Sequence, residues 1–134
     1  MGPIKLLQIS GHGDPESILL GDNKNESITR ATDLSSTFDL LHPLAIIVLV
    51  GCETGKLTEG VANIAQVLAQ QAKGRRVYAP KDISSTFQVH YPSTTPLTCK
   101  FSKFKEIRDR VSKASRFVAS ALDELRDNTG CYMR

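Results

Sequence analysis

The stretch IIVLVGCETGK, residues 46–56, decides the predicted fold, because an apolar run passes directly into a glycine, a cysteine and a short polar turn. Five β-branched or aliphatic residues in a row are typical of a strand that is buried on both faces of a parallel sheet. A second run, IKLLQISGHGD at residues 4–14, ends in a histidine between two glycines. Two predicted strands therefore each end in a side chain that is capable of catalysis, Cys52 in one case and His12 in the other.

The remaining segments alternate between strand and helix patterns. We predict strands at 4–10, 17–22, 46–50 and 76–80, a short helix from 34 to 41 capped by Ser35 or Ser36, and a helix from 59 to 73 ended by Gly74. The order of strand, helix and strand with short connections predicts a right-handed crossover. The predicted fold class is therefore α/β, with a mainly parallel sheet covered on both faces.

The C-terminal part gives weaker strand signals and one strong helical one. Residues 81–101 are rich in hydroxyl side chains and prolines, which predicts a loop region with a short strand at 87–90. Apolar residues then recur every three or four positions, which predicts one long amphipathic helix over 102–127. Seven Lys or Arg against two acids lie between Lys100 and Arg116. We interpret this run as a solvated helix face; binding to nucleic acid or acidic lipid is the alternative, and it lacks a supporting motif.

Composition limits the class of protein. The 134 residues, 40% of them hydrophobic, fit a single globular domain spanning the whole sequence. No apolar stretch approaches the roughly 18 to 20 residues that cross a bilayer, and no signal peptide pattern is visible, so we expect a cytoplasmic protein. The three cysteines are widely spaced and form no C-x-x-C pair, which argues against a disulfide framework or a zinc ribbon. We expect neither a metal nor a cofactor.

The two glycine-flanked turns suit thiol chemistry. Reacting groups collect at the carboxyl ends of parallel strands, where His12 and Cys52 both lie, so neighbouring strands would bring them together. The imidazole would take the thiol proton, and the thiolate would attack a carbonyl carbon. The backbone amides of Gly13 and Cys52 are candidate donors to the oxyanion that results. The other two cysteines, Cys99 and Cys131, lie away from glycine-rich strand ends, and we interpret them as structural.

The motifs SGHGD and VGCETG, each after a hydrophobic strand, resemble the caspase-like (clan CD) cysteine peptidases, and most closely the bacterial CHAT-domain type. The resemblance covers roughly residues 4–80, where NIAQVLAQQAKGRRVYAP is similar to the helix and strand that follow the cysteine in bacterial members. It implies a three-layer α/β/α sandwich and a His/Cys dyad. His12 would be the base, Cys52 the nucleophile, and the Gly13 and Cys52 amides the oxyanion donors.

The sequence departs from the family pattern in two respects. The family's sheet normally has one or two strands before the histidine strand, which here begins at residue 4. Either the N-terminal part is absent or another chain supplies it, so we expect the edge of the 4–10 strand to be covered by a partner, a second copy or further residues. Relatives specific for basic P1 residues often carry an acid two positions before the cysteine, where Val50 stands here. Other candidates for lining a substrate pocket are Glu53, Lys81 and Asp82.

The favoured function is a cysteine endopeptidase that cleaves proteins or peptides through a thioacyl-enzyme. A catalytically silent caspase-like interaction or regulatory module is one alternative. A flavodoxin-like domain that binds a small ligand or nucleotide is another, and it would tolerate loss of Cys52. The segment GCETGK does not support a phosphate loop, because Val50 and Leu57 stand where that motif needs a glycine and a hydroxyl residue.

Overall fold

The structure is a computed structural model that describes residues 4–21, 26–82, 87–91, 97–101 and 128–133. In chain order the elements are β1 (Leu6–Ser10), β2 (His12–Asp14), β3 (Ser17–Leu19), β4 (Ser27–Thr29), α1 (Ser35–Phe38), β5 (Ile46–Val50), α2 (Ile64–Gln71), β6 (Arg76–Pro80), β7 (Phe87–His90), β8 (Thr98–Phe101) and β9 (Thr129–Tyr132).

A four-stranded sheet with the order β1-β5-β6-β9 forms the centre of the fold. Strands β1, β5 and β6 are parallel, and β9 adds to β6 in the antiparallel sense. These three parallel strands are the apolar runs that dominate the sequence, and two of them lie at the predicted bounds. The prediction of an α/β fold with a mainly parallel sheet is confirmed.

One face of this sheet packs against α2, the single turn α1 and a small antiparallel sheet, β2-β3-β4. The helix α2 buries its apolar stripe on strands β5 and β6, and the fully buried Phe38 of α1 and Ile18 of β3 complete the same core. Burial of such large side chains contributes roughly 1.5 to 3 kcal/mol each. This packing fixes the connection from β5 to β6, which carries Cys52.

The helix α2 begins at Ile64 rather than at residue 59. Asn63 accepts a hydrogen bond from the Gln66 amide at 2.8 Å, and the Gln66 side chain accepts one from the Asn63 amide at 2.8 Å. This reciprocal capping box satisfies amides that have no partner within the helix and so sets its start. Val61, within the predicted helix, is 46% exposed and forms a β-bridge with Thr58 instead.

The opposite face of the sheet carries the β7–β8 hairpin. Cys99 and Phe101 of β8 are buried against Ile46, Val48 and Tyr78. The strand at 87–90 was predicted, whereas β8 falls in the predicted loop region and was missed. Among the described residues this face is therefore covered by a hairpin, and a three-layer sandwich stays a prediction. The predicted helix over 102–127 and most of the basic run lie outside the described residues.

The helix α1 is shorter than predicted and is capped differently. It spans a single turn, and no side chain of Ser35 or Ser36 caps it. Instead the Asp33 carboxylate accepts a hydrogen bond from the Ser35 amide at 2.9 Å. Hydrogen bonding to the Ser35 hydroxyl, followed by that to its amide, holds the pKa of this exposed carboxyl below its usual range. The described part of the chain contains no helix that is long and apolar enough to span a bilayer.

Candidate functional site

The turns that follow β1 and β5 lie side by side at the carboxyl edge of the sheet. The register pairs Ser10 with Val50, and the Gly11 amide continues the ladder by donating to the Val50 carbonyl at 3.1 Å. His12 and Cys52 each stand two residues beyond that last pair. The expectation that their strands are adjacent and parallel is confirmed.

The two turns touch each other through glycines. A Cβ built on Gly13 would lie 2.9 Å from the Cα of Gly51, which is closer than any side chain tolerates. The backbone segments that carry His12 and Cys52 can approach this closely only because both contact positions lack a side chain. Glycine is therefore required at position 13 because the two turns approach each other closely there, and not because the backbone has an unusual φ.

His12 is an exposed position of strand β2. Successive side chains of a strand alternate between its faces, so His12 leaves the strand on the side opposite to the Gly13–Gly51 contact. Within the described ranges no hydrogen bond holds its ring. Asp14, which shares its face, is engaged elsewhere: its carboxylate accepts hydrogen bonds from the amides of Glu16 at 2.7 Å and Ser17 at 2.8 Å.

The turn that carries Cys52 is tight. Cys52 is half-buried, and Glu53 after it has a φ of 62°, in the left-handed region that residues other than glycine rarely adopt. Conformations of this kind cost free energy and often occur at functional sites. Glu53, a predicted pocket residue, directs its carboxylate to the Lys56 ammonium at 3.0 Å. Its charge is therefore partly neutralised from within the same turn.

Surrounding elements hold this turn at three points. The Gly55 amide donates to the Pro80 carbonyl of β6 at 2.9 Å, and the Tyr132 hydroxyl of β9 donates to the Gly55 carbonyl at 2.6 Å. The Asn63 side chain donates to the Lys56 carbonyl at 3.1 Å. Tyr132 and Asn63 were not among the candidates from sequence. Asn63 carried a detectable signal as a helix cap, whereas Tyr132 is 77 residues from its partner and carried none.

The N-terminus of α2 points at the Cys52 turn and at the turn between β2 and β3. The Ile64 amide donates to the Pro15 carbonyl at 2.8 Å, and the Ala65 amide donates to the Thr54 carbonyl at 3.4 Å. One carbonyl belongs to the segment after His12 and the other to the turn of Cys52. The positive end of the helix dipole lies in this direction, which favours negative charge nearby.

Lys81 and Asp82 follow β6, the strand next to β5. Asn128 fixes this corner from within the fold, where it is fully buried. Its carbonyl accepts a hydrogen bond from the Lys81 amide at 2.9 Å, and its side chain accepts one from the Asp82 amide at 2.7 Å. The two predicted pocket residues thus lie at the same edge of the sheet as His12 and Cys52, with the Cys52 turn between.

The two other cysteines have different surroundings. Cys99 is buried between the hairpin and the sheet, and this burial raises the pKa of its thiol to about 12. Cys131 is exposed on the edge strand β9.

Among the residues that the structure describes, no group of three or more His, Cys, Asp or Glu side chains is arranged to hold a metal ion.

A family model described as "Domain of unknown function (DUF8616)" matches residues 2–94. The chain belongs to this family. The matched span contains both turns, from β1 through the β5–α2–β6 unit to β7, so the geometry around His12 and Cys52 lies within the family domain. No curated protein and no solved structure is significantly similar to the chain.

Proposed function

We propose that the chain is a cysteine endopeptidase in which His12 activates Cys52. The observation that carries this proposal is the register of β1 on β5, which sets both residues two positions beyond the same pair of strand residues. Neighbouring strands lie about 4.8 Å apart, and the proposal requires the His12 side chain, which leaves β2 on the face opposite to Gly51, to fold back over the turn until imidazole and thiol are within hydrogen-bond reach.

The proposed reaction begins with transfer of the Cys52 thiol proton to the His12 imidazole. The sulfur then bonds to the carbonyl carbon of the scissile peptide, and the carbonyl π electrons move to oxygen. The oxyanion accepts hydrogen bonds from the Gly13 and Cys52 amides. Collapse of this intermediate breaks the C–N bond, and the imidazolium protonates the departing amine. Water, deprotonated by His12, then hydrolyses the thioacyl-enzyme and returns the thiol.

The helix α2 supports the ionised state of such a site. Its first amides bind the carbonyls of Thr54 in the Cys52 turn and of Pro15 in the turn between β2 and β3, so its positive end lies near the carboxyl ends of β5 and β2, where it would favour a thiolate or an oxyanion. Helix N-termini stabilise thiolates and other anions in this way. The rigid attachment of the Cys52 turn to β6 and β9 supports the proposal further, because catalytic groups must be held within fractions of an ångström.

The test is alkylation of the folded protein with iodoacetamide near neutral pH, followed site by site with mass spectrometry. Cys52 is expected to react several times faster than the exposed Cys131, because a base assists only Cys52. Cys99 is expected to react slowest, since its raised pKa leaves almost no thiolate. His12→Ala should slow Cys52 alone, whereas His90→Ala, which removes another exposed histidine, should leave all three rates unchanged.

Cleavage of a mixed peptide library completes the test. Removal of a general base costs about 10²- to 10⁴-fold in rate, so His12→Ala should lose most turnover and Cys52→Ser nearly all of it. Equal labelling of Cys52 and Cys131 together with no cleavage by the wild-type protein would contradict the peptidase and favour the silent interaction module.

A further inference from the structure

Thr54 is the side chain that contacts both turns of the site. It is fully buried. Its hydroxyl donates a hydrogen bond to the Gly51 carbonyl at 2.8 Å, and its own amide approaches the same oxygen at 3.3 Å. Its methyl group lies beside Gly13, where a built Cβ would be 2.7 Å away. Both the hydroxyl and the methyl group of the threonine side chain therefore make contacts here.

We infer that Thr54 is a positioning residue that orients the Cys52 amide as an oxyanion donor and sets its spacing from the Gly13 amide. This inference rests on the proposed peptidase function. In a trans peptide the C=O and N–H bonds point in opposite directions. Because the Gly51 carbonyl is turned inward to the Thr54 hydroxyl, the Cys52 N–H of the same peptide unit points away from the core, toward the carboxyl edge of the sheet.

The backbone of Thr54 is itself well anchored. Its carbonyl accepts a hydrogen bond from the Ala65 amide of α2 at 3.4 Å, and the next residue, Gly55, is bonded to Pro80 and Tyr132. The hydroxyl therefore acts from a fixed position, and the Gly51–Cys52 peptide cannot turn over without breaking a buried hydrogen bond.

The test uses two variants that separate the branches of the side chain. Thr54→Val keeps the shape and removes the hydroxyl, whereas Thr54→Ser keeps the hydroxyl and removes the methyl group. The probe is a mixture of acetyl-capped tripeptide aldehydes, in which the thiol adds to the carbonyl carbon and the resulting oxygen occupies the oxyanion position. Loss of one oxyanion donor costs about 10²- to 10³-fold in kcat, so a misdirected donor in Thr54→Val should weaken aldehyde binding about 10- to 100-fold.

Three further results are expected of the same variants. In Thr54→Val kcat should fall with KM unchanged, because the donor acts on the transition state. Alkylation of Cys52 by iodoacetamide should keep its wild-type rate, since that displacement develops no oxyanion. Thr54→Ser should recover most of the aldehyde affinity. Wild-type affinity in Thr54→Val, or equal losses in Thr54→Val and Thr54→Ser, would overturn the role of Thr54.

Thermal melting shows whether each variant folds. If Thr54→Val does not fold, the same comparison is made between Thr54→Ser and Thr54→Ala, which differ only in the hydroxyl. If the wild-type protein neither cleaves peptides nor binds aldehydes, the proposed function fails, and Thr54 is judged by the amide nitrogen chemical shift of Cys52. That shift should move in Thr54→Val and return in Thr54→Ser, and a shift that does not move overturns the inference.

Discussion

Gly13 determines how closely the histidine and cysteine turns can approach each other. A side chain at this position would meet the backbone of Gly51 at 2.9 Å and the methyl group of Thr54 at 2.7 Å. Backbone atoms in a turn that is anchored at several points cannot move aside without a substantial cost in free energy. The space between the two turns is thus limited by main chain rather than by flexible side chains.

Replacement of Gly13 by alanine is expected to push the two turns apart. Overpacking of this kind costs typically 1 to 3 kcal/mol, so the free energy of unfolding measured with urea should fall by about that amount. In the proposed peptidase the separation also removes the base from the thiol, and alkylation of Cys52 should slow toward the rate of His12→Ala.

Gly60→Ala provides the control for this prediction. Gly60 has open space around its Cα but a φ of 77°, so alanine there is strained without a clash and should cost roughly 1 to 2 kcal/mol. The rate of Cys52 alkylation should not change in this variant. Equal labelling rates in Gly13→Ala and the wild-type protein would contradict the proposed contact between the turns.

At the level of elements, the sequence predicted the strands and helices whose residue pattern lies within the element itself. Strands β5 and β6 were predicted at their observed bounds, because a buried parallel strand requires an unbroken apolar run. The strands β2, β4, β8 and β9 were missed, since each is only three or four residues long, and β9 in addition pairs with β6, which is distant in sequence. The start of α2 was placed too early because periodicity extended past the capping box at Asn63.

The features of the candidate site also fall into those that the sequence could predict and those that it could not. The juxtaposition of the two turns was predictable, because adjacent parallel strands end at one edge. Thr54 and Tyr132 were not, since only the folded chain shows that their hydroxyls reach Gly51 and Gly55. What local patterns omit are tertiary hydrogen bonds that support the turn.

The burial of Tyr78 in β6 is expected to make the stability of the fold sensitive to alkaline pH. Tyr78 lies opposite Cys131 in the pairing of β6 with β9 and is buried. Burial, together with the nearby Cys131 thiol, raises the pKa of Tyr78 to about 12 from its ordinary value of 10.0. A raised pKa means that the folded state holds the phenol proton more tightly than the unfolded state.

Tyr78 is therefore expected to leave the free energy of unfolding unchanged below pH 10 and to lower it as the pH rises toward about 12. Urea titrations across this window measure the slope. Tyr78→Phe should flatten it, and Tyr91→Phe, at an exposed position, should not. An unchanged slope in Tyr78→Phe would assign the alkaline transition to other groups, of which Tyr132, whose pKa burial also raises, is the first to examine.

For the molecule as a whole, the outer edge of β1 is the feature that bears on the predicted partner. Within the described residues β1 pairs only with β5. The ladder runs from the Lys5 carbonyl, which accepts from Ile46, to the Gly11 amide, so odd-numbered residues bond inward. The amides of Leu6, Gln8 and Ser10 point outward. The strand contains neither charge nor proline, the devices that usually protect an edge.

We expect this edge to be covered in the functional protein, and amide hydrogen exchange measures it directly. An uncovered edge gives an alternating pattern, with Leu7 and Ile9 protected and Leu6 and Gln8 exchanging fast. A covered edge protects all four. Protection that increases with protein concentration, alongside a rising mass in light scattering, identifies a second copy as the partner.

Gln8→Pro and Ile9→Pro form the matched pair for this experiment. The first removes an outward amide, and proline is tolerated on strand edges, so the fold should survive while association is lost. The second removes an amide of the β1–β5 ladder and should destabilise the fold itself. An alternating exchange pattern at all concentrations, in a protein that remains a monomer, would contradict the expectation.

If the chain is the proposed peptidase, the hydrogen bond from Tyr132 to Gly55 also sets when during synthesis the site is completed. Ribosomes release polypeptide from the N-terminus, so the segments that carry His12 and Cys52 emerge long before Tyr132 is synthesised. Until then the turn around the thiol lacks one of its three attachments. In the proposed peptidase, nascent chains would carry the reacting groups in an unfinished setting, and hydrolysis would begin only after translation has passed β9, when neighbouring nascent proteins are no longer exposed to a premature thiolate.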